Sequence, residues 1–164
     1  MEFLNQILPE SDSRVCYSAR ESSLRRKGVR VMTVHQVPAG RITRNFSWEE
    51  FNSKDGAGMP PQVRANVKEL VEKALQPLRD FSGPLAISSG YRSPEHNRAV
   101  GGAPDSYHVK GLAADFTPLN KEIAEVWEFM ERDWPGGLGL YRERGFIHID
   151  ARHREGAESA RWEG

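Results

Sequence analysis

The clearest periodicity in the chain runs from Val63 to Leu78, where Val63, Val67, Leu70, Val71, Ala74, Leu75 and Leu78 recur at three- and four-residue intervals. That spacing gathers them on one side of a helix opened by Pro60-Pro61 and aimed at a core. Pro77 predicts a kink or an end in its last turns, with Phe81-Ser-Gly-Pro84 as the exit. A second stripe, Ile123, Ala124, Trp127 and Met130, is set against Lys121, Glu125, Glu128 and Arg132, with Asn120 as the expected N-cap. Upstream, Ser47 and Glu50 have capping-box spacing, which predicts a short helix from which Phe46 and Phe51 reach the domain.

Extended segments are expected at Leu85 to Tyr91, Leu112 to Phe116, Leu138 to Tyr141 and Phe146 to Asp150, the last two joined by the charged turn Arg142-Glu-Arg-Gly145. Between the first two lies Ser93 to Pro104, rich in Pro and Gly and read as a loop. Helices and strands are mixed rather than strictly alternating, so the expected fold class is α+β, a small antiparallel sheet flanked by helices. Residues 1–40, with few periodic apolar positions and many Ser, Arg and Glu, are expected to be an extension that is poorly ordered or docked on the domain of residues 41–164. A start at Met32 is the other reading of that stretch, and His35 within it reads as a surface or packing residue. From Arg152 onward the chain is charged apart from Trp162, and fraying is expected.

Composition narrows the chemistry. A lone cysteine, Cys16, leaves no internal disulfide and no cysteine-rich zinc site, so any metal must rest on histidine and carboxylate. The 23 basic and 23 acidic side chains cancel, so no long-range field points to nucleic acid. No apolar run reaches the roughly 18 residues of a membrane span. Neither a signal peptide nor a twin-arginine signal is recognisable, and synthesis in the cytoplasm without an evident export route is expected.

The residues that packing alone would not select lie between Ser88 and Pro118. His108 and Asp115 flank Gly111, which permits the backbone to reverse before the strand that carries Asp115. In Phe146-Ile-His-Ile-Asp150 the alternation puts His148 and Asp150 on one face of a strand. Two imidazoles and a carboxylate suit zinc and leave a fourth position for water. The same residues also read as a hydrogen-bonded turn histidine and a buried aspartate satisfied by backbone.

Ser89-Gly-Tyr-Arg-Ser93, Asn97, Val100-Gly-Gly102, Ser106-Tyr-His-Val-Lys-Gly-Leu-Ala-Ala-Asp115, Gly137-Leu-Gly-Leu-Tyr141 and Phe146-Ile-His-Ile-Asp150 stand in an ordered series. In these segments, over roughly Phe46 to Arg152, the chain resembles the zinc D-Ala-D-Ala carboxypeptidase family, peptidase family M15, in its small single-domain and endolysin-like branch. The resemblance implies the fold shared with the hedgehog signalling domain, a Zn2+ ion on His108, Asp115 and His148, and hydrolysis of D-Ala-containing amides in peptidoglycan stem peptides or cross-links. It also implies that Arg92 stabilises an oxyanion or a substrate carboxylate, and that Ser106 faces the substrate or satisfies its turn. Action at the cell wall or periplasm is expected, by a monomer.

One position departs from the family. Better-known members carry an acid three residues before the last histidine ligand, and Gly145 stands there. Asp150 is the first candidate for general base, with orientation of a ligand as its other reading, and Glu143 is the second candidate. The gap leaves open a non-catalytic zinc-bearing binding module or a phage structural module on the same scaffold. His96 and His153 are read as surface residues.

Overall fold

The computed structural model describes residues 38–164, so the expectations for the N-terminal extension, for His35 and for a start at Met32 fall outside the described residues. Ser47 and Glu50 do meet, the Ser47 N–H donating to Glu50 Oε1 at 2.7 Å, but the helix is a single 3-10 turn, Glu49–Phe51, whose N-cap is Trp48 rather than Ser47. Phe46 and Phe51 are buried with their rings edge to face at 5.9 Å.

The long periodic segment forms α1 (Pro61–Leu70), a π-helical turn Val71–Leu75, and α2 (Gln76–Ser82). Pro77 does not end the helix as expected. The Gln76 N–H bonds back five residues to the Val71 carbonyl. This wider turn puts Pro77 in the first turn of α2, where an absent N–H breaks no helical bond. Val67, Leu70, Val71, Ala74, Leu75 and Leu78 are all buried, as the stripe predicts.

β1 (Leu85–Ser89) leads into α3 (Pro94–Ala99), a helix where a loop was expected. Ser93 caps it by accepting the His96 N–H at 2.9 Å, and Pro94 follows in the first turn, so Ser-Pro was a helix start. β2 (Ala113–Pro118) precedes α4 (Ile123–Glu131), whose N-cap is Glu122 rather than Asn120. Val126, Trp127 and Met130 form its buried side, with Ile123 and Ala124 only partly covered. β3 (Gly137–Tyr141) and β4 (Phe146–Asp150) form the expected hairpin. The C-terminal segment does not fray: a 3-10 turn, Arg152–Glu155, leads to β5 (Ala160–Glu163). Among the described residues no helix is long and apolar enough to cross a membrane.

The strands form one sheet in the order β1-β2-β4-β3-β5, antiparallel as expected over the four foreseen strands, with β5 added parallel to β3. Alternation sorts its two faces. Ala114, Phe116, Leu138, Leu140, Ile147 and Ile149, all fully buried, join the helical stripes in one core. On the opposite face a single row crosses all five strands: Ser89, Asp115, His148, Gly139 and Trp162.

Candidate metal centre

Two ligand candidates are neighbours in that row, because Asp115 on β2 pairs directly with His148 on β4. The third arrives from above the sheet. In the turn before β2 the Val109 N–H donates to Ser106 O and the Gly111 N–H to His108 O, which folds the chain back over β1. Gly111 has φ +70°, in the left-handed region that glycine enters without a steric penalty. A Cβ there would also sit 2.7 Å from Val63 Cγ1 and from the Val63 carbonyl oxygen. The turn is fixed to the end of β1 by the Arg92 N–H, which donates to His108 O at 3.2 Å.

The result is a compact triangle of donor atoms. His148 Nδ1 lies 2.7 Å from Asp115 Oδ1 and 3.3 Å from His108 Nε2, and His108 Nε2 lies 3.3 Å from Asp115 Oδ1. Ligands about 2.0 to 2.1 Å from a tetrahedral zinc stand roughly 3.3 Å apart, so two edges of the triangle have the spacing that the ion sets and the third, at 2.7 Å, is shorter. The rest of each ligand is also set. His108 Nδ1 is 2.8 Å from the Gly90 carbonyl, which can only accept, so Nδ1 carries the proton and Nε2 keeps a lone pair for the cluster. His148 Nε2 faces Asp150 Oδ2 at 3.3 Å, leaving Nδ1 for the cluster. Asp115 turns its other oxygen, Oδ2, to the Arg92 guanidinium at 2.8 Å.

Electrostatics follow from these contacts. Burial opposes ionisation of Asp115, but its contacts with the His108 and His148 imidazoles outweigh it and hold the carboxyl well below the usual range. Burial likewise opposes protonation of His148, yet hydrogen bonds to Asp115 and Asp150 win and raise its pKa. For Asp150 burial again pulls upward, and bonds from His148 and Arg152 hold it low. The triangle is open on one side: the His148 side chain keeps 15% exposure against 4% for His108.

The other candidates divide. Arg92 stands at the cluster, its Nε–H donating to Ser89 Oγ at 2.9 Å. Ser106 is half-exposed and its Oγ accepts the His108 N–H at 3.3 Å, so the turn engages it. Asp150 is fully buried behind His148, with Oδ1 taking the N–H groups of Gly137 and Arg152 and Oδ2 the Arg152 guanidinium. Glu143 is exposed on the turn between β3 and β4. Gly145 ends that turn with φ +69°, a backbone state that favours glycine over the acid of better-known relatives. His153, expected at the surface, is half-buried with its ring edge to face on Trp134 at 5.4 Å.

Sequence reasoning missed Arg152 and Trp162 as neighbours of the cluster. The Trp162 ring lies 5.5 Å from the His148 ring and covers Gly139, where a Cβ would meet it at 2.4 Å. A tryptophan alone among charges was the available signal, since so large an apolar surface is seldom left to water.

Similarity to known proteins points the same way. Residues 44–150 match the sequence model of the family described as Peptidase M15. Over 87 residues the chain is 37% identical to the peptidoglycan L,D-endopeptidase MepK of Escherichia coli strain K12, covering 48% of each sequence. Over 71 residues it is 35% identical to the probable peptidoglycan L,D-endopeptidase MepK of Haemophilus influenzae, covering 40% of this chain and 38% of that one. The matches thus span about half the length of these curated relatives, or less. The family match extends over more than half of the chain and takes in every corner of the donor triangle, and the chain belongs to the peptidase M15 family.

Proposed function

We propose that the protein is a zinc-dependent peptidase of bacterial peptidoglycan, with the metal held by His108 Nε2, Asp115 Oδ1 and His148 Nδ1. The observation that carries this reading is the triangle itself, three donor atoms 2.7 to 3.3 Å apart with each ligand's remaining polar atom already paired. Zinc in such a site supplies a Lewis acid for an amide carbonyl and brings water towards ionisation near neutral pH.

The chain's own residues then have distinct tasks. The Gly90 carbonyl fixes the tautomer of His108, and Asp150 orients His148. Asp150 is a positioning residue in this reading, because Arg152 and the Gly137 N–H occupy both of its oxygens. Glu143, exposed on the turn between β3 and β4, is the other candidate for the general base. Arg92 holds Asp115 and stands where a planar guanidinium can stabilise a substrate oxygen. Ser106 lines the substrate side of the turn.

The substrate is an amide in the stem peptides or cross-links of the wall, and the site of action is the cell wall. Resemblance to the wider family favours a D-Ala-containing bond, whereas the names of the relatives favour a bond between L- and D-configured residues. The second reading of the protein is a zinc-bearing binding module, favoured by Gly145 at the position of the familial acid.

Digestion of purified peptidoglycan with mass analysis of the fragments separates these readings. A peptidase releases peptides whose new termini name the bond, and loses that activity to a chelator. A binding module sediments with the wall and releases nothing.

A further inference from the structure

Arg152 lies just past the family match and has no task in the chemistry above beyond its pairing with Asp150. Its Nε–H and Nη2–H donate to the two oxygens of Asp150 at 2.9 and 2.8 Å, a fork laid flat on the sheet. Gly137 makes that possible, since a Cβ there would lie 2.6 Å from Arg152 Nε. The guanidinium carbon sits 5.4 Å from the Tyr107 ring centre and 5.2 Å from that of Trp162. Among the described residues the remaining nitrogen, Nη1, has no protein acceptor, and the side chain keeps 22% exposure. A guanidinium anchored on a buried carboxylate through Nε and Nη2, with its carbon near two aromatic rings, is rigid and partly dehydrated, and among the described residues Nη1 is left for a further acceptor. One of those rings, Trp162, also faces His148, so this corner borders the metal centre.

We propose that Arg152, flanked by Tyr107 and Trp162, is a substrate-binding residue that takes a free carboxylate of the stem peptide beside the scissile bond. The inference rests on the peptidase reading for the identity of the ligand, and on the geometry of Arg152 for the recognition. A carboxylate oxygen accepts from Nη1 while the peptide's aliphatic part lies on the Trp162 face. Balancing Asp150 alone predicts a different behaviour, because that role takes no account of the ligand's charge.

The test pairs enzyme and ligand variants. A stem tetrapeptide and its singly amidated forms are offered to zinc-loaded wild type, Arg152→Gln and Arg152→Lys. The Kd is read from tryptophan fluorescence in a stopped flow, before any turnover, and hydrolysis is followed separately. Wild type is expected to bind the free carboxylate about tenfold more tightly than the form amidated at the recognised position. Arg152→Gln should erase that preference, weakening the free acid about tenfold more than the amide. Arg152→Lys keeps a charge for Asp150 if the glutamine variant fails to fold, and it should lose most of the preference with zinc content intact. Equal weakening of acid and amide, or no preference in wild type, overturns the proposal. Preference without hydrolysis would sustain the Arg152 inference and refute the peptidase reading, and hydrolysis without preference would do the reverse.

Discussion

Asp150 Oδ2 lies 3.3 Å from His148 Nε2, on the side of the ring turned away from Asp115. In the proposed reading the aspartate therefore acts on the metal through the histidine. Asp150→Asn is expected to weaken zinc binding by roughly 10- to 100-fold, the usual effect of losing an acceptor that orients a metal-bound histidine. Competition with a chelating dye measures this. Unchanged zinc affinity with turnover abolished would instead make Asp150 the base.

The same contacts set a pH dependence. Both nitrogens of His148 face carboxylates, which favours the imidazolium in metal-free protein. Its raised pKa contributes stability that is present below its ordinary value and lost as pH rises through the raised one. Asp115, with its pKa held low, contributes stability above the usual carboxylate range that is lost as pH falls. Metal-free protein should thus be most stable in mild acid. Zinc must displace the proton from Nδ1, so the stabilisation it adds should grow from about pH 5 to about pH 8. Urea unfolding with and without zinc across that range checks the trend.

Asp55 offers a second titration outside the donor triangle. Its carboxylate accepts from Ser93 Oγ and from the Ala57 N–H, and its pKa is lowered to about 2, chiefly by the Ser93 hydroxyl. The sign is that of a depressed acid: the contribution is present above its ordinary value of 3.8 and lost as pH falls towards about 2. Asp55→Asn should flatten that part of the acid unfolding curve. Circular dichroism during acid titration reads the difference.

Gly111→Ala tests how the turn delivers His108. The substitution adds a left-handed alanine and a Cβ 2.7 Å from the backbone and side chain of Val63. Together these should cost about 2 to 4 kcal/mol, measured by urea unfolding. Zinc affinity should fall with it, because the Gly111 N–H holds the His108 carbonyl at 3.1 Å.

Most of the fold was legible because burial and period coincide along it. The stripe from Val67 to Leu78 and the alternation in Phe146–Asp150 each have one face that must leave water. Pro77 did not end the helix, because the π turn ahead of it leaves the proline in a first turn, where its missing N–H breaks no bond. β5 misled for a different reason. It follows a charged stretch and holds only Ala160 and Trp162 as apolar residues, while Arg161 ties it down by donating to the carbonyls of Gly136 and Trp134 at 2.7 and 2.6 Å. The donor triangle was suggested by Gly111 and the strand alternation and singled out by the family resemblance, whereas the anchoring of Asp150 by Arg152 depends on a backbone turn that no spacing announces.

Zinc titration by calorimetry, with each histidine removed in turn, bears most directly on the metal centre. One ion per chain is expected for the wild type. His108→Ala and His148→Ala, still folded by circular dichroism, should each lose that binding. Wild type that takes up no zinc, or variants that bind as well as wild type, would contradict a centre built from His108, Asp115 and His148.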